Sequence, residues 1–173
     1  MTAGERKERA TMSRRALVLG GAAGLGVVLG WKFRLAGLLA AEQFEVAHTD
    51  EEWRKLLTQK QYAVLRHEAT ERPFSSPLLH ENRRGTFACA GCGLDDFSSA
   101  TKFDSRTGWP SFWAAIDKSV KEKTDNSFDM IRTAVYCRRC GGHLGHVFDD
   151  GPRPTGLRYC INGLALTFRP LAS

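Results

Sequence analysis

Ile131-Arg132-Thr133-Ala134-Val135-Tyr136-Cys137-Arg138-Arg139-Cys140-Gly141-Gly142 is the stretch that sets the fold class of this 173-residue chain. Up to Tyr136 the pattern alternates: Ile131, Thr133 and Val135 fall on one face of an extended segment, Arg132, Ala134 and Tyr136 on the other. The strand then runs into a Cys-x-x-Cys knuckle followed by two glycines, which leave the backbone room to turn toward the sulfurs. A second knuckle, Cys89-Ala-Gly-Cys92-Gly93, stands forty-four residues earlier. Cys89, Cys92, Cys137 and Cys140 together have zinc-ribbon spacing. Four thiolates fill a tetrahedral zinc site and leave no open position, so one structural zinc per chain is expected. Two disulfides are the competing reading in an oxidising compartment. A thioredoxin-type redox pair is disfavoured, because no βαβ context surrounds either knuckle.

Outward from the knuckles the chain reads as short strands: Thr86-Phe87-Ala88, Val147-Phe148, Leu157 to Asn162, and Leu164 to Phe168. Glycines and Asp150-Gly151-Pro152 punctuate them. Strands do not alternate with helices, so a parallel sheet is disfavoured. Helices are confined to the beginning. Thr49-Asp50-Glu51-Glu52 is a capping box, and the helix after it should turn Trp53, Leu56 and Leu57 inward. Thr58 to Gln61 repeats the signal and should start a second short helix carrying Tyr62, Val64 and Leu65. The prolines of Glu71 to Pro77 make that stretch a loop. The expected class is mainly β (α+β), with short N-terminal helices over antiparallel strands.

The fifth cysteine lies in Gly156-Leu157-Arg158-Tyr159-Cys160-Ile161-Asn162. In an extended segment Arg158, Cys160 and Asn162 share a face. A fixed cation beside a thiol favours the reactive thiolate. A lone cysteine is more often a core thiol. Here, however, Gly141-Gly142-His143-Leu144-Gly145-His146 supplies two histidines, and cysteine with histidine is the usual make-up of a thiol enzyme.

The run from Cys137 through His143, His146, Val147-Phe148-Asp149-Asp150-Gly151-Pro152 to Thr155-Gly-Leu-Arg-Tyr-Cys160-Ile-Asn162 resembles the methionine-R-sulfoxide reductase family, type B. Lys102-Phe-Asp-Ser and Gly108-Trp-Pro-Ser-Phe-Trp113 carry the resemblance as well, and it spans about Thr49 to Pro170. It implies two small antiparallel sheets. It also implies reduction of the R epimer of methionine sulfoxide in proteins, with Cys160 as nucleophile and a sulfenic acid intermediate. Cys160, His143, His146, Asn162 and Arg158 match catalytic positions, and Trp109, Phe148 and Asp150 match positions around the substrate. Trp113 reads as a core aromatic, and His48, His67 and His80 have no assigned role. Many relatives place a resolving cysteine where this chain has Thr107, so an external reductant is implied, either a small thiol or a thioredoxin-like protein. The family's Asn-Ser after the nucleophile is Asn162-Gly163 here, which reads as a minor change. Ser127-Phe-Asp-Met130 departs from the family's Ser-His-Gly-Met.

The net charge is +6, divided equally between residues 1–47 and 48–173. The second part is thus only mildly basic and has no basic run interleaved with aromatics, so nucleic acid is an unexpected partner. Residues 1–47 read as a targeting segment and linker, residues 48–173 as the reductase domain. Ser13-Arg14-Arg15-Ala16-Leu17 is a twin-arginine pattern before an apolar run from Ala16 to Trp31, too short and weakly apolar for an ordinary membrane span. Export to a bacterial periplasm is expected, with cleavage near Ala40-Ala41 or with the uncleaved segment as the only membrane attachment. A zinc-ribbon module that merely binds a protein partner is the rival function, and a general disulfide reductase the rival enzyme.

Overall fold

The computed structural model describes residues 43–172, so the expected signal lies outside the described residues. Two helices come first, α1 (Asp50–Leu56) and α2 (Gln59–His67). Both begin with complete capping boxes, Thr49 with Glu52 and Thr58 with Gln61, each satisfying the N–H groups of the cap residue and of the third helical residue. Trp53, Leu57, Tyr62, Val64 and Leu65 are buried as the pattern requires. Leu56 is not: it is 60% exposed. The helix ends there, and the extended cap at Leu57 turns that side chain inward instead.

Nine strands follow: β1 (Gly85–Cys89), β2 (Asp95–Ser98), β3 (Lys102–Phe103), β4 (Ser111–Phe112), β5 (Val120–Asp125), β6 (Arg132–Cys137), β7 (His143–Phe148), β8 (Arg158–Ile161) and β9 (Leu166–Pro170). They form two antiparallel sheets, one ordered β2-β1-β9 and one ordered β3-β4-β8-β7-β6-β5. The expected class and architecture are those observed. Phe87, Phe97 and Phe112 fill the space where the sheets meet, with Phe97 stacked on Phe112 at 4.5 Å between ring centroids. Val135, Leu144 and Ile161 complete that core from the larger sheet.

The alternating run is a strand, but it starts one residue late. Ile131 lies outside β6 and is 86% exposed, because Arg132 opens the pairing with Asp125. Trp113 is half-buried, not a core residue. Phe44 to Val46, placed by sequence with the N-terminal segment, pack on the second knuckle. Val46 N–H donates to Arg139 O at 3.0 Å, and Glu45 pairs with Arg138 and Arg139. Among the described residues no helix is long and apolar enough to cross a membrane.

Candidate active site

Antiparallel register brings the site together. Cys160 on β8 pairs with His146 on β7 and with Ser111 on β4, and directly paired residues share a face. His143 reaches the same face through a bulge. Val135 pairs with Gly145, but the next residue, Tyr136, pairs with His143, so Leu144 is the extra residue of β7. Leu144 turns into the core, and the rings of His143 and His146 stand 5.4 Å apart.

Cys160 is half-buried. Arg158 lies on its face, as the i, i+2 spacing requires, and its guanidinium is gripped by Asp150 through two hydrogen bonds of 2.7 and 2.8 Å. The same guanidinium lies 4.4 Å over the Phe148 ring. The cation beside the sulfur favours the thiolate, as expected, but burial outweighs it. Desolvation pushes the Cys160 thiol above its ordinary value, and the Thr107 hydrogen bond and the charge and hydrogen bond of Arg158 offset this only in part.

The two histidines differ. His146 Nε2 is 2.8 Å from the Asp125 carboxylate, which also accepts from Arg132 at 2.6 Å and from the Ser127 backbone N–H at 2.8 Å. The Ser127 backbone bond, then that of His146, holds Asp125 below the usual carboxylate range. His143 is fully buried, and neither ring nitrogen has a partner among the described residues. Burial lowers it to about 4, so it is a neutral imidazole at pH 7.

Asn162 does not simply follow Cys160 on one face. Its side chain is buried as a splint: Oδ1 accepts from the Glu71 N–H at 2.9 Å, and Nδ2 donates to Leu144 O at 3.0 Å. Glu71 is the hub of this region and was read only as loop. Its carboxylate accepts from the N–H groups of Gly163 and Leu164 at 2.6 and 3.0 Å. Its backbone carbonyl accepts from Trp109 Nε1 at 3.1 Å. The Asn-Gly substitution is also more than minor. A Cβ at Gly163 would lie 1.9 Å from Ser76 Oγ and 2.5 Å from Ser76 Cβ. With Ser76 buried there, only glycine fits.

The face bearing Cys160 and His146 opens into a cavity of about 130 Å³. Trp109 and Phe148 wall it, His146, Asn162 and Arg132 add polar groups, and Cys160 opens into it. Its volume suits one unbranched side chain. Asp150 and Arg158 both lie outside its lining; Asp150 fixes Arg158 through their paired hydrogen bonds. His48 stacks edge-on against Trp53 and His67 against Tyr62, both remote from this cavity.

The four knuckle cysteines converge where β6 ends and turns into the start of β7. Their sulfurs all lie within 4.8 Å of one another, with contacts of 3.5 and 3.7 Å. Zinc–sulfur bonds of about 2.3 Å put tetrahedral sulfurs about 3.8 Å apart, so the donor set fits that ion. A disulfide would need about 2.05 Å, and all four thiols are free. Gly93 and Gly141 close the two knuckles at φ +72° and +67°, the left-handed region glycine adopts without strain. Asp96 was not anticipated. It is fully buried beside the knuckle cysteines, and burial followed by the charges of Cys137 and Cys92 raises its carboxyl to about 9.

The SelR domain family matches residues 57–170. The chain is 57% identical over 127 residues to a peptide methionine sulfoxide reductase MsrB of Bradyrhizobium diazoefficiens, covering 73% of this chain and 91% of that one. It is 54% identical over 128 residues to the MsrB of Methanosarcina barkeri (73% and 90%) and 51% identical over 127 residues to that of Leptospira interrogans (73% and 97%). With a family model matching two thirds of its length and relatives this similar, the chain belongs to the MsrB family of peptide methionine sulfoxide reductases.

Proposed function

We propose that this protein reduces the R epimer of methionine sulfoxide in proteins, with Cys160 as nucleophile. Cys160 in the lining of a cavity sized for one thioether side chain carries this reading. Trp109 and Phe148 supply apolar walls for the S-methyl group, which has no polar handle. The attacking sulfur must lose its proton, and the sulfoxide oxygen must gain one. Thiol and sulfoxide give sulfenic acid and thioether, so atoms balance without another reactant. His146 is the proton donor we favour: it lines the cavity, and the Asp125 carboxylate fixes its ring. His143, buried and neutral, holds the floor behind it. Arg158, fixed by Asp150, steadies the ionised sulfur, and Asn162 fixes the loop that carries Gly163. The sulfenic acid is then cleared by an external thiol, small or thioredoxin-like.

The assay is reduction of racemic N-blocked methionine sulfoxide with dithiothreitol, epimers resolved. Only the R epimer should disappear; equal consumption of both overturns the reading. His146→Ala should lower kcat by roughly 10²–10⁴-fold, the range of a lost acid–base group. His143→Ala should cost less, and the reverse order would exchange the two roles.

The cysteine cluster holds one zinc in this reading, as a cross-link between the two knuckles with no part in the chemistry. We also propose export by a twin-arginine route to the periplasm, on the strength of Arg14-Arg15 and the apolar run after them. A cut near Ala40-Ala41 would leave Phe44 to Val46 on the knuckle; without it, the segment anchors the enzyme to the membrane. Residues 1–47 fused to a folded reporter should carry it out of the cytoplasm, and Arg14→Lys with Arg15→Lys should stop this. Unchanged export of the double variant points to the general secretory route instead.

A further inference from the structure

Three hydroxyls stand in line behind the nucleophile. Thr107 Oγ1 is 3.8 Å from Cys160 Sγ, Ser105 Oγ is 2.8 Å from Thr107 Oγ1, and Ser111 Oγ is 2.7 Å from Ser105 Oγ. The line ends at a backbone carbonyl, since Ser111 donates to Trp109 O at 3.1 Å. Each hydroxyl has one proton to give. With that of Ser111 committed to Trp109, Ser105 donates to Ser111, Thr107 donates to Ser105, and the Cys160 thiol donates to Thr107. Every member of the resting chain is satisfied, with the thiol as first donor.

Ionised Cys160 has no proton to give. The line serves it only in the opposite sense: Thr107 donates to the sulfur, Ser105 to Thr107 and Ser111 to Ser105. The cost is the bond to Trp109 O. No proton changes its heavy atom; three hydroxyl hydrogens turn. The line cannot carry the proton away, because a carbonyl is not a base; in alkylation the proton goes to solvent, and in turnover it balances the one gained by the sulfoxide oxygen.

We propose that Ser111, Ser105 and Thr107 form a hydroxyl rotor that reverses as Cys160 ionises, with Thr107 giving the sulfur anion its uncharged hydrogen-bond donor. Thr107 is then a catalytic residue, and the two serines position it. A chain of this kind strengthens its last bond, since each hydroxyl polarises the next. This deepens the assignment of Cys160 as nucleophile and rests on it. The other groups facing the sulfur are Arg158, backed by Asp150, on β8; His146 on β7; and Arg132 across the cavity. All four stay in place in the variants below.

The test is the pH dependence of iodoacetamide alkylation at Cys160 in the zinc-loaded protein, read by peptide mass mapping. Thr107→Val keeps the shape and removes the hydroxyl. It should slow alkylation at neutral pH roughly tenfold and move the profile up by about one pH unit, the usual worth of a hydrogen bond to a charged group. Thr107→Ser should restore the wild-type profile. Ser105→Ala should slow the reaction less, and should add nothing in the Thr107→Val background. An unchanged profile in Thr107→Val overturns the proposal, as does a Ser105→Ala effect of equal size with and without Thr107. Alkylation needs no sulfoxide, so failure of the rotor is separable from failure of the reductase assignment, which turnover of methionine sulfoxide by the wild type reports.

Discussion

Cys160→Ser is expected to reduce sulfoxide turnover below detection while zinc content and melting temperature stay at wild-type values. The sulfur sits on the active face of β8 without filling the core, so losing it leaves no cavity to collapse. What is lost is the soft nucleophile; a serine oxygen attacks sulfoxide sulfur far more poorly. A substituted protein that still turns over would remove Cys160 from the reaction and return the chain to the reading of a zinc-ribbon binding module. The intermediate gives a second check. With Thr107 3.8 Å from the sulfur and the remaining four cysteines gathered in one cluster, no free thiol faces a sulfenic acid among the described residues. One stoichiometric dose of substrate without reductant should add a single oxygen to the intact mass, trappable with dimedone. A loss of two hydrogens, with zinc released, would mean that a knuckle cysteine resolves the intermediate.

Much of this was legible because it is local. Capping boxes, Cys-x-x-Cys knuckles and i, i+2 faces depend on residues close in sequence, and both helices and the pairing of Arg158 with Cys160 were found from them. The misses have a common cause. Asp125 meets His146 across twenty-one positions, and Glu71 meets Asn162 across ninety-one. Neither carries a pattern of its own; an aspartate ending a charged strand and a glutamate before a proline look like solvated residues. β5 was missed because Val120 to Asp125 is mostly exposed and charged, so it lacks the alternation that marks a half-buried strand. At Cys160 sequence shows the cation, which does favour the thiolate, but not the burial that opposes it. Asp96 gives no hint of its position: only the fold puts that carboxyl under the sulfurs.

Loss of the metal should be as damaging to the fold as loss of Cys160 is to the chemistry. Cys89, Cys137 and Cys140 are buried and belong to the same apolar cluster as Phe87, Leu65 and Leu144. The first knuckle ends β1 and the second joins β6 to β7, so the cluster fastens one sheet to the other. Zinc held by four thiolates commonly contributes about 10 kcal/mol or more. A domain of this size has roughly 5–15 kcal/mol in all. Cys92→Ser or Cys140→Ser should therefore leave little folded protein at 25 °C, and chelation should unfold the wild type. The β7 end bearing His143 and His146 begins three residues after Cys140, so activity should disappear with the fold, not before it. Metal analysis of protein purified without added metal should find one zinc per chain, and circular dichroism during titration with a chelator should follow its release. A metal-free protein that keeps its cooperative melt, with the cysteines paired as two disulfides, would show that oxidation and not zinc closes the knuckles.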